Sequence, residues 1–244
     1  MSSDKRVVVI SGGSRGLGQA LVQDRLDAGD IVATFSRSSN SFIEQLREAD
    51  PNGERFHWEA IEGTDFDGVR GFAMTVLRRY KRIDALINNA GVGIEGLLTM
   101  TSERDIHQAL TLNLESVIVL TRACLKAMIA ERRGSIVNIS SVNALRGHKG
   151  LAVYSATKAA LLGFTRSLAS EVGPQGVTVN AIAPGFFESD MVGHLTDAQR
   201  ARIIRRTPMR AMCTTQDIVD SVRFLLSTRA ITGQTLAVDG GFTC

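Results

Sequence analysis

Apolar residues fall along this chain in two alternating rhythms. Short runs at residues 7–10, 31–35, 56–61, 83–87, 136–139, 177–183 and 236–238 are bounded by turn residues, and most are rich in Val and Ile. Runs of that length and kind predict strands buried on both faces. Between them the apolar spacing is helical: Leu17, Ala20, Leu21 and Leu26 in the first stretch, residues 67–82 in another, then 154–172 and 215–227. The longest stripe, over 102–130, holds Ile106, Leu110, Leu114, Val117, Ile118, Leu120 and Leu125 and predicts one long helix. Asn113 interrupts it, and a buried Asn in a helix must find partners or cost stability. Alternating strand and helix predict an α/β fold of Rossmann type, a doubly wound, seven-stranded parallel sheet with helices on both faces. No repeat, low-complexity linker or composition break divides the chain, so residues 1–244 are expected to form a single domain.

Charge and composition narrow this only a little. A net charge of +3 is too mild to argue for nucleic acid, although arginines gather at residues 200–210 and at Arg132 and Arg133. No stretch of apolar residues is long enough to span a bilayer, so no membrane partner is expected. The start, M-S-S-D-K-R, has no apolar signal region, and Cys124, Cys213 and Cys244 have no metal-ligand spacing. A cytoplasmic, reduced protein is the expectation. The four histidines, His57, His107, His148 and His194, share no spacing that suggests a metal, and no metal site is expected. Only His148, between Ser141 and Tyr154, is placed to line a pocket.

The chemistry concentrates in S-S-V-N-A-L-R-G-H-K-G-L-A-V-Y-S-A-T-K, residues 140–158. Tyr154 and Lys158 are four apart on a helical pattern, so they share one face. A phenol titrates at about 10, and an ammonium beside it is expected to lower that value and make it a working acid and base. Ser141 follows the run 136–139 and therefore stands at a strand's carboxyl edge, where open α/β sheets place ligands. The other ligand signal is S-G-G-S-R-G-L-G, between the first strand and the first helix. Gly12, Gly16 and Gly18 let the backbone approach a pyrophosphate, and the helix N-terminus offers free N–H groups. After the second strand the chain reads S-R-S-S-N, with no acid before Glu44. Arg37, helped by Arg15, is placed to meet a 2′-phosphate, which favours NADP(H) over NAD.

These two segments, with Asn88-Asn89-Ala90-Gly91 between them, resemble the short-chain dehydrogenase/reductase family from Val7 to the end of the chain. The resemblance implies that Gly12, Ser14, Arg15, Gly16, Leu17 and Gly18 form the cofactor turn. It places Arg37 and Glu62 at the adenosine end, Asn88, Ala90 and Gly91 beneath the riboses, and Pro184 and Gly185 beside the nicotinamide. Asn113, Ser141, Tyr154 and Lys158 become the catalytic set. Ser141 is chosen over Ser140 because it lies thirteen before Tyr154, and Lys158 also reaches the nicotinamide ribose. Asn113 is expected to bend its helix and to hold a water linked to Lys158. Residues 186–212 have the position of the family's substrate lid. Asp65 is expected to cap the helix that follows it.

Within the family, N-A-I-A-P-G-F-F-E-S-D-M and I-T-G-Q-T-L-A-V-D-G-G look most like the 3-oxoacyl-[acyl-carrier-protein] reductases. That implies a substrate linked to acyl carrier protein and a homotetramer of 222 symmetry. Carrier proteins are acidic and need basic ground. Arg132 matches one docking arginine of those reductases, the second position is Gln175, and Arg133 or the lid arginines can take its place. A free small ketone, sugar or other secondary alcohol is the other substrate class, and a nucleotide-sensing regulator is the non-enzyme alternative on this fold.

Overall fold

The computed structural model describes residues 5–187 and 196–244. Its sheet has strands β1 (Val7–Ser11), β2 (Ile31–Ser36), β3 (Phe56–Ala60), β4 (Ala85–Asn88), β5 (Gly134–Ile139), β6 (Val177–Pro184) and β7 (Thr235–Val238). All pairs are parallel and the order is β3-β2-β1-β4-β5-β6-β7. The direction of winding reverses between β1 and β4, and a crevice opens there at the carboxyl ends of the strands.

Helices α1 (Gly16–Asp27), α2 (Ser41–Ala49) and α8 (Thr215–Ser227) cover one face, and α3 (Phe66–Tyr80), α5 (Ser116–Ala130) and α6 (Ala152–Val172) the other. The period-two alternation of β1 decides which residue meets which layer. Val7 and Val9 pack with Phe72, Leu120, Met128 and Leu168, whereas Val8 and Ile10 pack with Leu21, Ile43, Ile218 and Leu225. All are buried. Asp65 caps α3 as expected, its carboxylate accepting from the Gly68 N–H at 3.0 Å.

The stripe at 102–130 is not one α-helix. It divides into α4 (Glu103–Leu110) and α5, joined by a π-turn over Thr111–Glu115. The turn shifts the phase of the stripe, and Leu110 and Ile118, which one unbroken helix would have placed on the apolar face, are exposed. A π-turn inserts a residue into the ladder and is common at functional sites. Within the expected lid, α7 (Asp197–Arg206) is a helix closed by a capping box from Thr196 and Gln199. Lid residues 188–195, with His194, lie outside the described residues.

Asn88 ends β4 on the face it shares with Leu86, so its side chain enters the core and not the crevice. Its amide donates to Asn138 Oδ1 at 2.8 Å and Thr121 Oγ1 at 3.0 Å, and Asn138 Nδ2 donates to Thr165 Oγ1 at 2.9 Å. This buried chain ties β4 and β5 to α5 and to α6, the helix that carries Tyr154 and Lys158.

Candidate active site

The crevice is a cleft of about 1520 Å³ running from Arg37 and Glu62 at one end to Tyr154, Pro184 and Phe186 at the other. Its floor at β1 is the glycine turn. Gly12 and Gly16 have φ of +73° and +56°, in the left-handed region that favours glycine. A Cβ on Gly18 would lie 2.0 Å from the Gly12 carbonyl oxygen, so α1 approaches the turn as closely as backbone allows. The turn is held from below: Thr34 Oγ1 accepts from Gly13 N–H at 3.0 Å and donates to the Ile10 carbonyl at 2.7 Å.

α1 begins at Arg15 without a side-chain cap, whereas α2, α3, α4, α7 and α8 are each capped by Asn40, Asp65, Ser102, Thr196 or Thr214. Its first N–H groups therefore face the cleft at the positive end of the helix dipole. Ser14, Arg15, Gly16 and Leu17 line the cleft beside them. Close backbone, bare N–H groups and a run of open space fit a dinucleotide pyrophosphate.

At the end of the cleft away from Tyr154, Arg37 has a side chain 68% exposed and 3.9 Å from Glu62 Oε2. That contact is long and solvated, worth little in itself, and leaves the guanidinium able to turn onto an anion. Glu62 is fixed through Oε1, which accepts from the Gly63 N–H at 3.1 Å. Ala90 and Gly91 line the cleft, but the expectation for Asn88 needs correcting, because its side chain lies inside the sheet and Asn89 takes the place beside the glycine turn. Asn89 Nδ2 donates to the carbonyls of Ser11 at 3.1 Å and Gly12 at 3.2 Å. Ser11 Oγ accepts from the N–H groups of Asn89 and Ala90, both at 3.0 Å. These hydroxyl contacts lock two loops together across residues 78 and 79 apart in sequence, and nothing in the local pattern announced them.

The catalytic candidates converge at the other end. Ser141 follows β5, and its hydroxyl lies beside the Tyr154 phenol and accepts from the Asn143 N–H at 3.2 Å. Lys158, one turn after Tyr154 on α6, is buried, and its Nζ donates to the Ile139 carbonyl at 2.8 Å. Ser140, the neighbour, turns away and donates to the Lys158 carbonyl at 2.8 Å, fixing α6 against β5. Asn113 sits in the π-turn, fully buried, with Oδ1 accepting from Val92 N–H at 2.7 Å and Nδ2 donating to the Val92 carbonyl at 2.8 Å and to Thr157 Oγ1 at 3.1 Å. It stands behind Gly91, where a Cβ would come within 3.2 Å of Asn113 Oδ1 and 3.3 Å of Lys158 Nζ. Asn113 therefore holds the loop after β4 and the active helix at once.

The electrostatics differ from the expectation in one respect. Burial pushes the Tyr154 phenol above its ordinary value, and the Ser141 hydroxyl pulls it partly back. Burial also lowers Lys158, to about 8. In each case the cause is desolvation, which disfavours the charged form of either group. The phenol is held as an acid with its proton on, next to a hydroxyl that can also donate.

Pro184 and Gly185 close the cleft after β6. The Gly185 N–H donates to the Val238 carbonyl at 2.8 Å, and a Cβ there would lie 2.7 Å from Asp239 Cα. His148 does not line the cleft as expected. It lies behind Phe186, which does, with its ring stacked on Phe242 at 5.5 Å. Arg132 and Arg133 precede β5, at the opposite edge of the sheet from Ser141. Arg132 donates to the Pro174 carbonyl at 2.9 Å and Arg133 lies 3.8 Å from Asp84, so within one chain neither stands at this cleft's mouth. No cluster of metal-ligating side chains occurs among the described residues, and no helix among them is long and apolar enough to cross a membrane.

A glycine-lined crevice with a phenol, an amine and a hydroxyl at its far end defines a nucleotide-dependent oxidoreductase. Residues 6–200 match the family model for short chain dehydrogenase, and the chain belongs to that family, whose members act on CH–OH groups with a nicotinamide cofactor. It is 35% identical over 243 residues to the 3-oxoacyl-[acyl-carrier-protein] reductase FabG of Salmonella typhimurium, covering 99% of this chain and 98% of that one. The 3-oxoacyl-[acyl-carrier-protein] reductase of Synechocystis is 35% identical over 240 residues, covering 97% and 96%. Among solved structures, ElxO with NADP bound superposes with a TM-score of 0.89 at 29% identity, covering 98% of each chain. A mutant of a Serratia marcescens short-chain dehydrogenase/reductase gives 0.89 at 28% identity, again covering 98% of this chain and 98% of that one.

Proposed function

We propose that the protein reduces a 3-oxoacyl thioester, presented on an acyl carrier protein, to the 3-hydroxyacyl form with NADPH. The observation that carries this is the convergence of Ser141, Tyr154 and Lys158 at one end of the cleft, the Ser141 hydroxyl beside the Tyr154 phenol and Lys158 one turn further on. Similarity to the carrier-protein reductases supports the substrate class.

Ser141 and Tyr154 together hold the substrate's carbonyl oxygen. NADPH supplies the hydride, which goes to the carbonyl carbon. As negative charge develops on the oxygen, Tyr154 delivers its proton there, and its raised pKa suits it to hold that proton until the charge appears. Lys158, its amine at a pKa of about 8, balances the phenolate left behind and orients the ribose through its donors. Asn113 fixes Val92 and Thr157 and so keeps the loop after β4 and α6 in register. Arg37 with Arg15 takes the 2′-phosphate, and Glu62 takes the adenine end.

The exposed Ile118 and Ile129 on α5, with the small exposed Ala152, Ala156 and Ala159 on α6, support pairing of these helices in a homotetramer of 222 symmetry. Antiparallel pairing would bring the Arg132 end of a second copy towards this mouth. A cytoplasmic location accords with three unpaired cysteines. The small free ketone keeps one observation in its favour: the Gln175 amide lies against the end of α6, where with its nitrogen turned inward it donates to the carbonyls of Glu171 at 2.9 Å and Val172 at 3.2 Å. NADPH oxidation against a panel of 3-oxoacyl thioesters, carrier-linked and free, and simple ketones separates the readings. Turnover confined to ketones would remove the first.

A further inference from the structure

The lid helix α7 carries its charge on one face. Arg202, Arg205 and Arg206 are exposed at i, i+3 and i+4, and the face continues through Met209, 74% exposed, to Arg210. The loop from Ser141 to Leu151 adds Arg146 and Lys149, both exposed, around the exposed Leu145. These two segments adjoin in space. Burial lowers the His148 pKa, the Arg146 backbone draws it back up, and the charges of Arg146 and Arg206 beside it lower it again. Phe242 links both sides: the Arg146 guanidinium donates to its carbonyl at 3.1 Å and lies 5.7 Å over its ring, while the neighbouring Gly240 carbonyl accepts from the Met209 N–H at 3.1 Å. The same aromatic cluster holds Phe186, a wall of the cleft.

One rim of the mouth is thus basic with an apolar centre. Against six exposed cations, the two described segments, residues 141–151 and 196–212, contain a single acid, Asp197, at the far end of α7. Like charges gathered on one helix face repel each other and destabilise the isolated protein slightly, an arrangement that an oppositely charged partner relieves. Within one chain the expected docking arginine, Arg132, is by contrast tied to Pro174 at the other edge of the sheet, so it competes with this rim only from a second copy.

We propose that the rim formed by α7 and the loop after β5 is the docking ground for an acidic carrier protein, which lands on Arg202, Arg205, Arg206 and Arg146 with Met209 and Leu145 as apolar anchors and threads its thioester past Phe186. This rests on the reading of the substrate as carrier-linked. The chemistry is that of rim charges around a small apolar centre, which act on encounter rate and specificity more than on the bound chemistry.

The test compares wild type with Arg202→Glu/Arg205→Glu, the milder Arg202→Ala/Arg205→Ala, and Arg132→Glu, on a carrier-linked and a short free 3-oxoacyl thioester, at low and high ionic strength. Steering by a charged patch is worth on the order of 10–10³-fold in encounter rate. The glutamate double variant should lose about tenfold or more in kcat/KM on the carrier-linked substrate at low salt, and the alanine pair less. The loss should shrink as the Debye length falls from about 10 Å at 0.1 M towards about 3 Å at 1 M. On the free thioester neither variant should change by more than about twofold. Equal loss on both substrates, no loss, or a carrier-specific loss in Arg132→Glu alone overturns the assignment. If wild type itself shows no preference for the carrier-linked thioester, the substrate reading fails first, and the rim proposal with it.

Discussion

Lys158 Nζ lies 5.9 Å from the centre of the Tyr154 ring while donating to the Ile139 carbonyl at 2.8 Å. The amine is therefore anchored to the end of β5, and the phenol lies beside Ser141, which follows that same strand. One strand end sets the spacing of all three groups.

Removal of the phenol hydroxyl tests this directly. Tyr154→Phe keeps the ring and its packing but takes away the proton, so kcat should fall by on the order of 10²–10⁴-fold with NADPH binding nearly unchanged. Lys158→Ala should lose activity and weaken NADPH as well. Single-turnover kinetics with fluorescence titration of NADPH distinguishes the two. A Tyr154→Phe enzyme with most of its activity would falsify the assignment of the proton donor.

Lys158 also gives the fold a pH signature. Its folded pKa of about 8 lies below the ordinary lysine value of 10.5, so between those values the unfolded chain binds the extra proton. Stability from this group therefore rises with pH above about 8, by up to about 1.4 kcal/mol per pH unit. Tyr154 acts in the opposite sense, since its pKa is raised from 10.0 and its contribution falls only above that value. In urea unfolding between pH 8 and 10, wild type should gain on Lys158→Met as pH rises. Parallel curves would mean that Lys158 is not buried as an amine.

The proposed preference for NADPH over NADH is assigned to Arg37. Exchange to Asp replaces an attraction for a 2′-phosphate by a ribose acceptor and sets a second carboxylate near Glu62, 3.9 Å from the present guanidinium. A lost charge-assisted contact is worth about 1.5–3 kcal/mol, so the NADPH/NADH ratio of kcat/KM should drop about tenfold or more. An unchanged ratio in steady-state kinetics would return Arg37 to the role of a solvated loop residue.

Much of this site is legible from sequence because its signals are local. The glycine turn, the spacing of Tyr154 and Lys158, and the Asp65 cap each depend on residues within a turn or two of one another. What the sequence hides depends on distant partners or on strand parity. Asn88 looks like a cleft residue by motif, yet its place after Leu86 and Ile87 sends it inward. Thr34, Ser11 and Thr157 each hold a loop through one hydroxyl bonded to segments far along the chain, and an isolated Ser or Thr has no pattern. The π-turn at Asn113 lies inside an apolar stripe broad enough to read as unbroken, so the spacing does not report it. The raised phenol pKa is a property of depth, which side-chain spacing does not report.

The buried amide chain carries the last prediction. Asn138 accepts from Asn88 at 2.8 Å and donates to Thr165 at 2.9 Å, all three within the core. Asn138→Ala leaves the Asn88 amide with Thr121 alone and the Thr165 hydroxyl without its donor, at a cost of about 1–3 kcal/mol for each buried group left short of a partner. Asn138→Asp keeps the acceptor but buries a charge, and should destabilise more, with part of the loss recovered at acid pH as the carboxyl protonates. Because α6 rests on Thr165 and carries Tyr154 and Lys158, the alanine variant should also lose kcat ahead of KM for NADPH. Denaturant midpoints and steady-state kinetics on the same preparations check both. A variant as stable and as active as wild type would mean that the chain of amides contributes neither to the sheet nor to the placement of the active helix.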